Sequence, residues 1–398
     1  MTLSAFALAC RRVITVALDD PTRRFGGSWL SRSPRWGHWL LVVAAGLGCG
    51  RGDTTVVAPP AEVAQSANAR EASEAAGVSP AGAASGGASA SAAAQAAGAS
   101  GVGGSGVGGS GAAAAEPFRL SQPGRLIAIG DLHGDVDAAR AALRLGGAID
   151  DSDRWIGENL SVVQTGDQLD RGDREREIVD LFTRLGPAAS ARGGRVVALN
   201  GNHEIMNVQG DFRYVTPGGL TAFEGVRPPS PLASGAPPSY AERAAAFLPG
   251  GAYALELAER DVVAVVGDSV FVHGGLLPAH LRYGIDRINR EAREWMKGGV
   301  RAAPDAVGGE AAPIWVRDYS LDPVAESACQ ALGEVLSALG AKRMVVGHTV
   351  QRSGISSACN DRVYRIDVGL SRYYGDGPIQ VLEIEGGRVR ILSTPRGH

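Results

Sequence analysis

The chain is poor in the features that define several protein classes. A formal net charge of −3 leaves no basic footprint for nucleic acid. Neither cysteine nor methionine stands among the candidate site residues, which argues against a copper(I) or iron–sulfur centre. The apolar stretch Trp39-Leu-Leu-Val-Val-Ala-Ala-Gly-Leu-Gly48 is about ten residues, too short to span a bilayer. Large apolar side chains are nearly missing from residues 59–116, where Ala, Gly and Ser dominate. Such a segment cannot bury enough surface to offset the entropy of ordering it.

What stands before that segment reads as an export signal. Arg11, Arg12, Arg23, Arg24, Arg32 and Arg35 precede the apolar stretch, which has the length of a signal h-region and ends at Cys49. A small residue before a cysteine at this point resembles a bacterial lipoprotein processing site, although Gly46 stands where Leu is usual. The expected division is 1–49 as signal peptide with a possible lipobox, 50–116 as a disordered tether, and 117–398 as the folded domain. A tether of about 65 residues reaches roughly 45 Å. The expected location is the bacterial cell envelope, with membrane attachment through a lipidated Cys49. Simple secretion is the alternative.

The informative residues lie in five strand-end turns. Gly130-Asp-Leu-His-Gly-Asp135 follows the apolar run Leu126-Ile-Ala-Ile129. Gly166-Asp-Gln-Leu-Asp-Arg-Gly-Asp173 follows Ser161-Val-Val-Gln-Thr165, and Gly201-Asn-His-Glu204 follows Val196-Val-Ala-Leu199. His273-Gly-Gly275 comes after Val270-Phe-Val272, and Gly347-His-Thr349 after Met344-Val-Val346. Each is a buried strand running into a Gly-flanked Asp, Asn or His, where open α/β sheets place ligands. Four of the seven histidines fall in these turns.

Helices are expected over residues 136–145, 174–185, 285–296 and 325–339. Strand–helix alternation up to residue 199 predicts parallel pairing. From Gly267-Asp268 onward the strands turn antiparallel, ending in a hairpin at Gly386-Gly387. Residues 216–238, rich in Pro and Gly, read as loop, followed by a short helix opened by a Ser239-x-x-Glu242 capping box. A mixed α/β fold follows: a two-sheet sandwich flanked by helices.

The ordered turn motifs resemble those of the calcineurin-like metallophosphoesterases, specifically the phosphoprotein phosphatase group. The run from Asn200 to Val215, with Pro313-Ile-Trp-Val-Arg-Asp318 and Arg365-Ile-Asp-Val-Gly369, is similar to the Shewanella-like protein phosphatases. That resemblance covers roughly residue 118 onward. It implies a dinuclear phosphomonoesterase acting on phosphoproteins, with two Mn, Fe or Zn ions and a bridging hydroxide as nucleophile. It assigns Asp131, His133 and Asp167 to one ion, and Asp167, Asn202, His273 and His348 to the other. It gives phosphate to Arg171 and Arg317, and leaving-group protonation to His203, oriented by Asp170. Glu204 and Asp367 are expected behind the ligands, or as plain structural acids. In the family an insertion overhangs the site here, so Arg213 and Tyr214 either face substrate, or Phe212 and Tyr214 pack that insertion against the body.

The chain also departs from the family. Leu370-Ser-Arg-Tyr-Tyr-Gly-Asp376 stands where the eukaryotic Ser/Thr members carry Ser-Ala-Pro-Asn-Tyr-Cys, which leaves phosphotyrosine or phosphoserine preference open. Tyr373 or Tyr374 could substitute for the family tyrosine. Cys329 and Cys359 are either a disulfide or two buried thiols. Two rival functions share the motifs: a dinucleoside-polyphosphate hydrolase, and a non-catalytic surface lipoprotein.

Overall fold

The computed structural model describes residues 118–121 and 123–396. The readings of residues 1–116 as signal, lipobox and tether, including Cys49, lie outside the described residues.

In chain order the first elements are β1 (Arg119–Leu120), β2 (Arg125–Ile129), α1 (Val136–Leu145), β3 (Ser161–Gln164), α2 (Glu175–Ser190) and β4 (Arg195–Ala198). Then come α3 (Asn202–Gln209), α4 (Pro217–Thr221), α5 (Ala241–Phe247), α6 (Ala252–Leu257), β5 (Val263–Val266) and β6 (Ser269–Val272). The remainder is α7 (Pro278–Tyr283), α8 (Ile285–Met296), α9 (Asp305–Gly308), α10 (Glu326–Leu339), β7 (Arg343–Val346), β8 (Ser356–Ala358), β9 (Val363–Arg365), β10 (Ile379–Glu385) and β11 (Arg388–Thr394).

Two mixed sheets form, in the orders β11-β10-β2-β3-β4 and β1-β5-β6-β7-β9-β8. Strands β2, β3 and β4 pair in parallel, as the strand–helix alternation requires. Side-chain alternation then builds three layers. Leu126 and Ala128 of β2 meet Phe271, Val345 and Ile366 between the sheets. Ile127 and Ile129 point the other way and pack with Ala139, Leu143, Ile178 and Phe182 of α1 and α2. The far face of the six-stranded sheet is covered by α8 and α10, through Ile288, Trp295, Leu332 and Val335.

Four expectations need correction. Beyond Gly267-Asp268 the strands are not uniformly antiparallel: β7 pairs in parallel with both β6 and β9, because α10 and the β8 excursion return the chain in the same direction. Helix α2 runs on to Ser190, past Gly186 and through Pro187, because buried Ala189 continues the apolar stripe of Ile178, Phe182 and Leu185. The Ser239 capping box does not form: α5 starts at Ala241 without a side-chain cap, and Glu242 accepts from Gly225 N–H instead. Residues 217–221, read as loop, are helical because Thr216 accepts from Gly219 N–H and Pro217 fits a first turn. The cysteines are joined: Cys329 and Cys359 form a disulfide that ties α10 to the β8–β9 connection.

Candidate active site

Strands of both sheets end at one rim. β2 leads to Asp131 and His133, β3 to Asp167, Asp170 and Arg171, and β4 to Asn202 and His203 at the start of α3. From the other sheet come His273 after β6, His348 after β7 and Asp367 after β9. Ten described non-glycine residues have positive φ, and five of them are His133, Asp167, Asp170, Arg171 and His348. Left-handed backbone at a residue bearing a Cβ costs energy and collects where function over-determines it. Glu204 supplies part of that determination. Its buried carboxylate accepts from the backbone N–H groups of Asp167 and Gly201, both at 2.7 Å, and Gln168 at 2.8 Å. It is a clamp on the turn that carries Asp167, not a group that faces the cavity.

The ring nitrogens are sorted by their backbone partners. His133 Nδ1 donates to Leu169 O and His273 Nδ1 to Thr165 O, each at 2.9 Å. Each Nε2 is thereby turned toward the site, an arrangement typical of metal-binding imidazoles. His273 Nε2 lies 2.8 Å from Asn202 Oδ1 and 3.1 Å from Asp167 Oδ2. His133 Nε2 lies 3.8 Å from Asp167 and 4.0 Å from Asp131. His348 Nε2 is buried with no hydrogen-bond partner. His273 Nε2, Asn202 Oδ1, the Asp167 carboxylate and His348 Nε2 are acceptors gathered with acceptors, an arrangement that a cation satisfies. A Cβ on Gly347 would collide with the Asp131 carboxylate, and one on Gly201 with that of Asp167. The donor set therefore fits metal ions.

Donor atoms converge in two groups, Asp167–His273–His348 and His133–Asp167–His203. The first holds three of the four donors expected for one ion. The second differs from expectation, because His203 takes the place of Asp131 within it. Asp131 is close by, and its carboxylate accepts from His348 N–H at 3.1 Å.

The electrostatics follow from crowding acids without cations. Burial, then the Asp367 and Asp167 charges, push Asp131 well above the ordinary carboxylate range. Burial raises Asp367 to about 6. For Asp167 burial acts in the same direction, but His273 and His203 outweigh it and hold the acid well below its usual value. Burial also opposes protonation of His273, yet Asp167 raises it. Burial, helped by Arg171 and Arg317 respectively, depresses His133 and His348.

A cavity of about 230 Å³ opens over this cluster, lined by Asp167, Asn202, His203, His348, Arg171, Arg317 and Tyr374 among others. Arg317 donates to Thr349 Oγ1 at 3.0 Å. Arg171 Nη1 lies 3.1 Å from His133 Nε2 and also meets the Tyr374 hydroxyl. Of the two candidate tyrosines it is Tyr374 that lines the cavity. Tyr214 packs its ring 5.2 Å from that of His203 and 5.1 Å from the Arg171 guanidinium. Arg213 is not brought in: it pairs with Asp211 at 2.7 Å on the surface.

His203 Nδ1 lies 2.6 Å from Asp170 Oδ2. Behind that pair is a group the sequence reading missed: Arg243 of α5, Glu175 of α2 and Asn207 of α3, all fully buried. Glu175 and Asn207 stood near recognised motifs, but nothing local marked Arg243.

A cation cradle opening beside two guanidinium groups is the equipment of a metal-dependent phosphoesterase, and comparison with known proteins gives that class a family. Residues 124–352 match the family described as Calcineurin-like phosphoesterase. Shewanella-like protein phosphatase 2 of Arabidopsis thaliana is 43% identical over 309 residues, spanning 69% of this chain and 79% of that protein. Shewanella-like protein phosphatase 1 of Plasmodium berghei is 31% identical, over 68% of this chain and 74% of its own. Among solved structures, the cold-active protein-tyrosine phosphatase of a psychrophilic Shewanella species superposes with a TM-score of 0.57 at 24% identity. That match covers 69% of this chain and 79% of that one, and is a likeness of fold. The chain belongs to the calcineurin-like phosphoesterases, within their Shewanella-like protein phosphatase group.

Proposed function

We propose that the domain removes phosphate from phosphoproteins, using two metal ions drawn from Mn, Fe and Zn. One observation carries this reading: metal-type donors, a buried imidazole and two guanidinium groups line the same cavity. Asp131, His133 and Asp167 would hold one ion, and Asp167, Asn202, His273 and His348 the other. When bound, such a pair supplies Lewis acidity and a water of lowered pKa. The chain's own groups supply the rest. Arg171 and Arg317 grip the phosphate oxygens with charge-assisted hydrogen bonds. His203 delivers a proton to the departing oxygen while Asp170 fixes its Nδ1 side. Asp367 supports the cluster from behind. The relatives' names support a phosphoprotein substrate, with tyrosine and serine/threonine esters both in scope. The test is a side-by-side assay of phosphotyrosine peptide, phosphoserine peptide and diadenosine tetraphosphate, with metal analysis. Turnover of the dinucleotide alone would overturn the phosphoprotein reading. Metal-free, inactive protein would favour a purely binding role.

We also propose that the domain works in the cell envelope, anchored through Cys49 and a tether over residues 50–116. The arginine-flanked apolar run ending at Cys49 supports this. A second signal beyond one acyl chain is needed for stable anchoring, so a triacylated cysteine is implied. Cys49→Ala should move the protein from the membrane to the soluble fraction, and unchanged fractionation would remove the lipid anchor from the reading. Protein starting near Glu116 should keep full activity, since the tether offers the core no large apolar residue.

A further inference from the structure

We propose that Arg243 is a positioning residue for leaving-group protonation: it holds Asp170, and through Asp170 the His203 ring, in register with the cavity. The inference rests on the reading of His203 as the acid.

Arg243 lies on α5, in the segment between α3 and β5. All five of its N–H donors are used. Nε donates to Asn207 Oδ1 at 2.7 Å, and Nη1 to Glu175 Oε1 at 3.0 Å and Gly219 O at 2.8 Å. Nη2 donates to Glu175 Oε2 at 2.6 Å and to Asp170 Oδ1 at 3.1 Å. The guanidinium is also bordered by the rings of Phe212, Phe223 and Phe247, at 6.0, 5.4 and 5.0 Å.

The Asp170 carboxylate is divided between two tasks. Oδ2 faces His203 Nδ1, and Oδ1 accepts from Arg243 and, at 3.0 Å, from Asn207 Nδ2. Its backbone N–H donates to Glu175 Oε2 at 3.0 Å, which is itself held by Arg243. The side chain and the backbone of Asp170 are thus both referred to one guanidinium. A buried carboxylate without that cation would carry an uncompensated charge and could rotate toward any other donor. A lysine cannot replace the fork, because one ammonium cannot meet Asp170, both Glu175 oxygens and Asn207 in fixed directions. If Arg243 were only a pin for the segment between α3 and β5, its removal would cost stability and activity without regard to the leaving group. If it positions the acid, the cost falls where a proton must be delivered.

The measurement is kcat on an alkyl phosphate (a phosphoserine peptide) and on an aryl phosphate of low leaving-group pKa, with bound metal and melting temperature for each variant. Arg243→Lys should lose about tenfold or more on the alkyl substrate, part of the ~10²–10⁴-fold that a positioned acid contributes. It should lose no more than about threefold on the aryl ester, whose leaving group needs little protonation, and should keep its metal. Arg243→Met combined with Glu175→Gln guards against misfolding. It removes the buried charges together and keeps an acceptor for Asp170 N–H, and the same selective loss is expected. Tyr253→Phe, which deletes a 2.6 Å bond to Asp180 in the same region, should lower the melting temperature and leave the alkyl-to-aryl ratio alone. Equal losses on both substrates in either folded Arg243 variant would overturn the proposal. His203→Asn separates the two readings. If it too shows no leaving-group dependence, the acid assignment falls and takes this inference with it. If it does and Arg243→Lys does not, only the role of Arg243 is rejected.

Discussion

The two sides of the cavity are held by different means. On the proposed ligand side, each donor follows a strand end; backbone carbonyls orient His133 and His273, and Glu204 gathers the N–H groups around Asp167. On the side of the proposed acid, His203 and Asp170 depend on side chains from three helices, α2, α3 and α5. The first side is built from turn motifs contiguous in sequence. The second is a network of side chains, so substitutions on other helices reach it directly.

Substitutions should expose the difference. Asp167→Asn strikes the carboxylate common to both donor groups. Metal content should fall, and activity should drop by more than the ~10²–10⁴-fold that an acid alone contributes. Retained stoichiometry, measured by elemental analysis, would break the comparison at its root. His203→Asn should lose about 10²–10⁴-fold in kcat on an alkyl phosphate, and less on an aryl one, with metal near wild type. Because His203 also stands within a donor group, loss of metal here would reassign it as a ligand. Asp170→Asn should resemble a milder version, about 10–100-fold.

Acidity should act mainly on the ligand side. In the metal-free protein two of the proposed ligands, Asp131 and His273, are both raised, so both hold protons more readily in mild acid. An entering cation must expel them, and affinity should rise by up to about tenfold per pH unit for each proton displaced between pH 5 and 7. Titration of metal-free protein at both values checks this, and a flat response would contradict it. The smallest effect on chemistry is expected at the disulfide, whose cysteines are 30 residues apart. Cys329→Ser with Cys359→Ser should cost about 3–4 kcal/mol of stability while kcat stays unchanged.

The same contrast explains what could be read beforehand. A strand, a glycine and a ligand within eight residues form a local pattern, so Asp131, Asp167, Asn202, His273 and His348 were visible together, and parallel pairing of β2, β3 and β4 followed from their spacing. Arg243 was not visible, because its partners are 24 to 73 residues away and a lone arginine in a short helix has no signature. Arg213, a candidate for facing substrate, is instead held by nearby Asp211 at the surface. The Ser239 motif failed because three-residue spacing recurs by chance in a polar segment. Glu204 was placed near the ligands, but its function as a backbone clamp depends on a turn that only the folded chain brings to it.

One topological detail has a consequence for the protein's synthesis. Strand β2, which leads to Asp131 and His133, is bordered by β3 on one side and β10 on the other. Arg125 and Glu383, ion-paired across that second border, are 258 residues apart. At ~5–20 residues per second a ribosome needs roughly 13 to 50 s to make the intervening chain. Through that interval β2 has an open edge, which is the state most exposed to pairing with a neighbouring chain. His348 and Asp367 also emerge only near its end. A nascent domain therefore has no complete cavity until its last sheet can close.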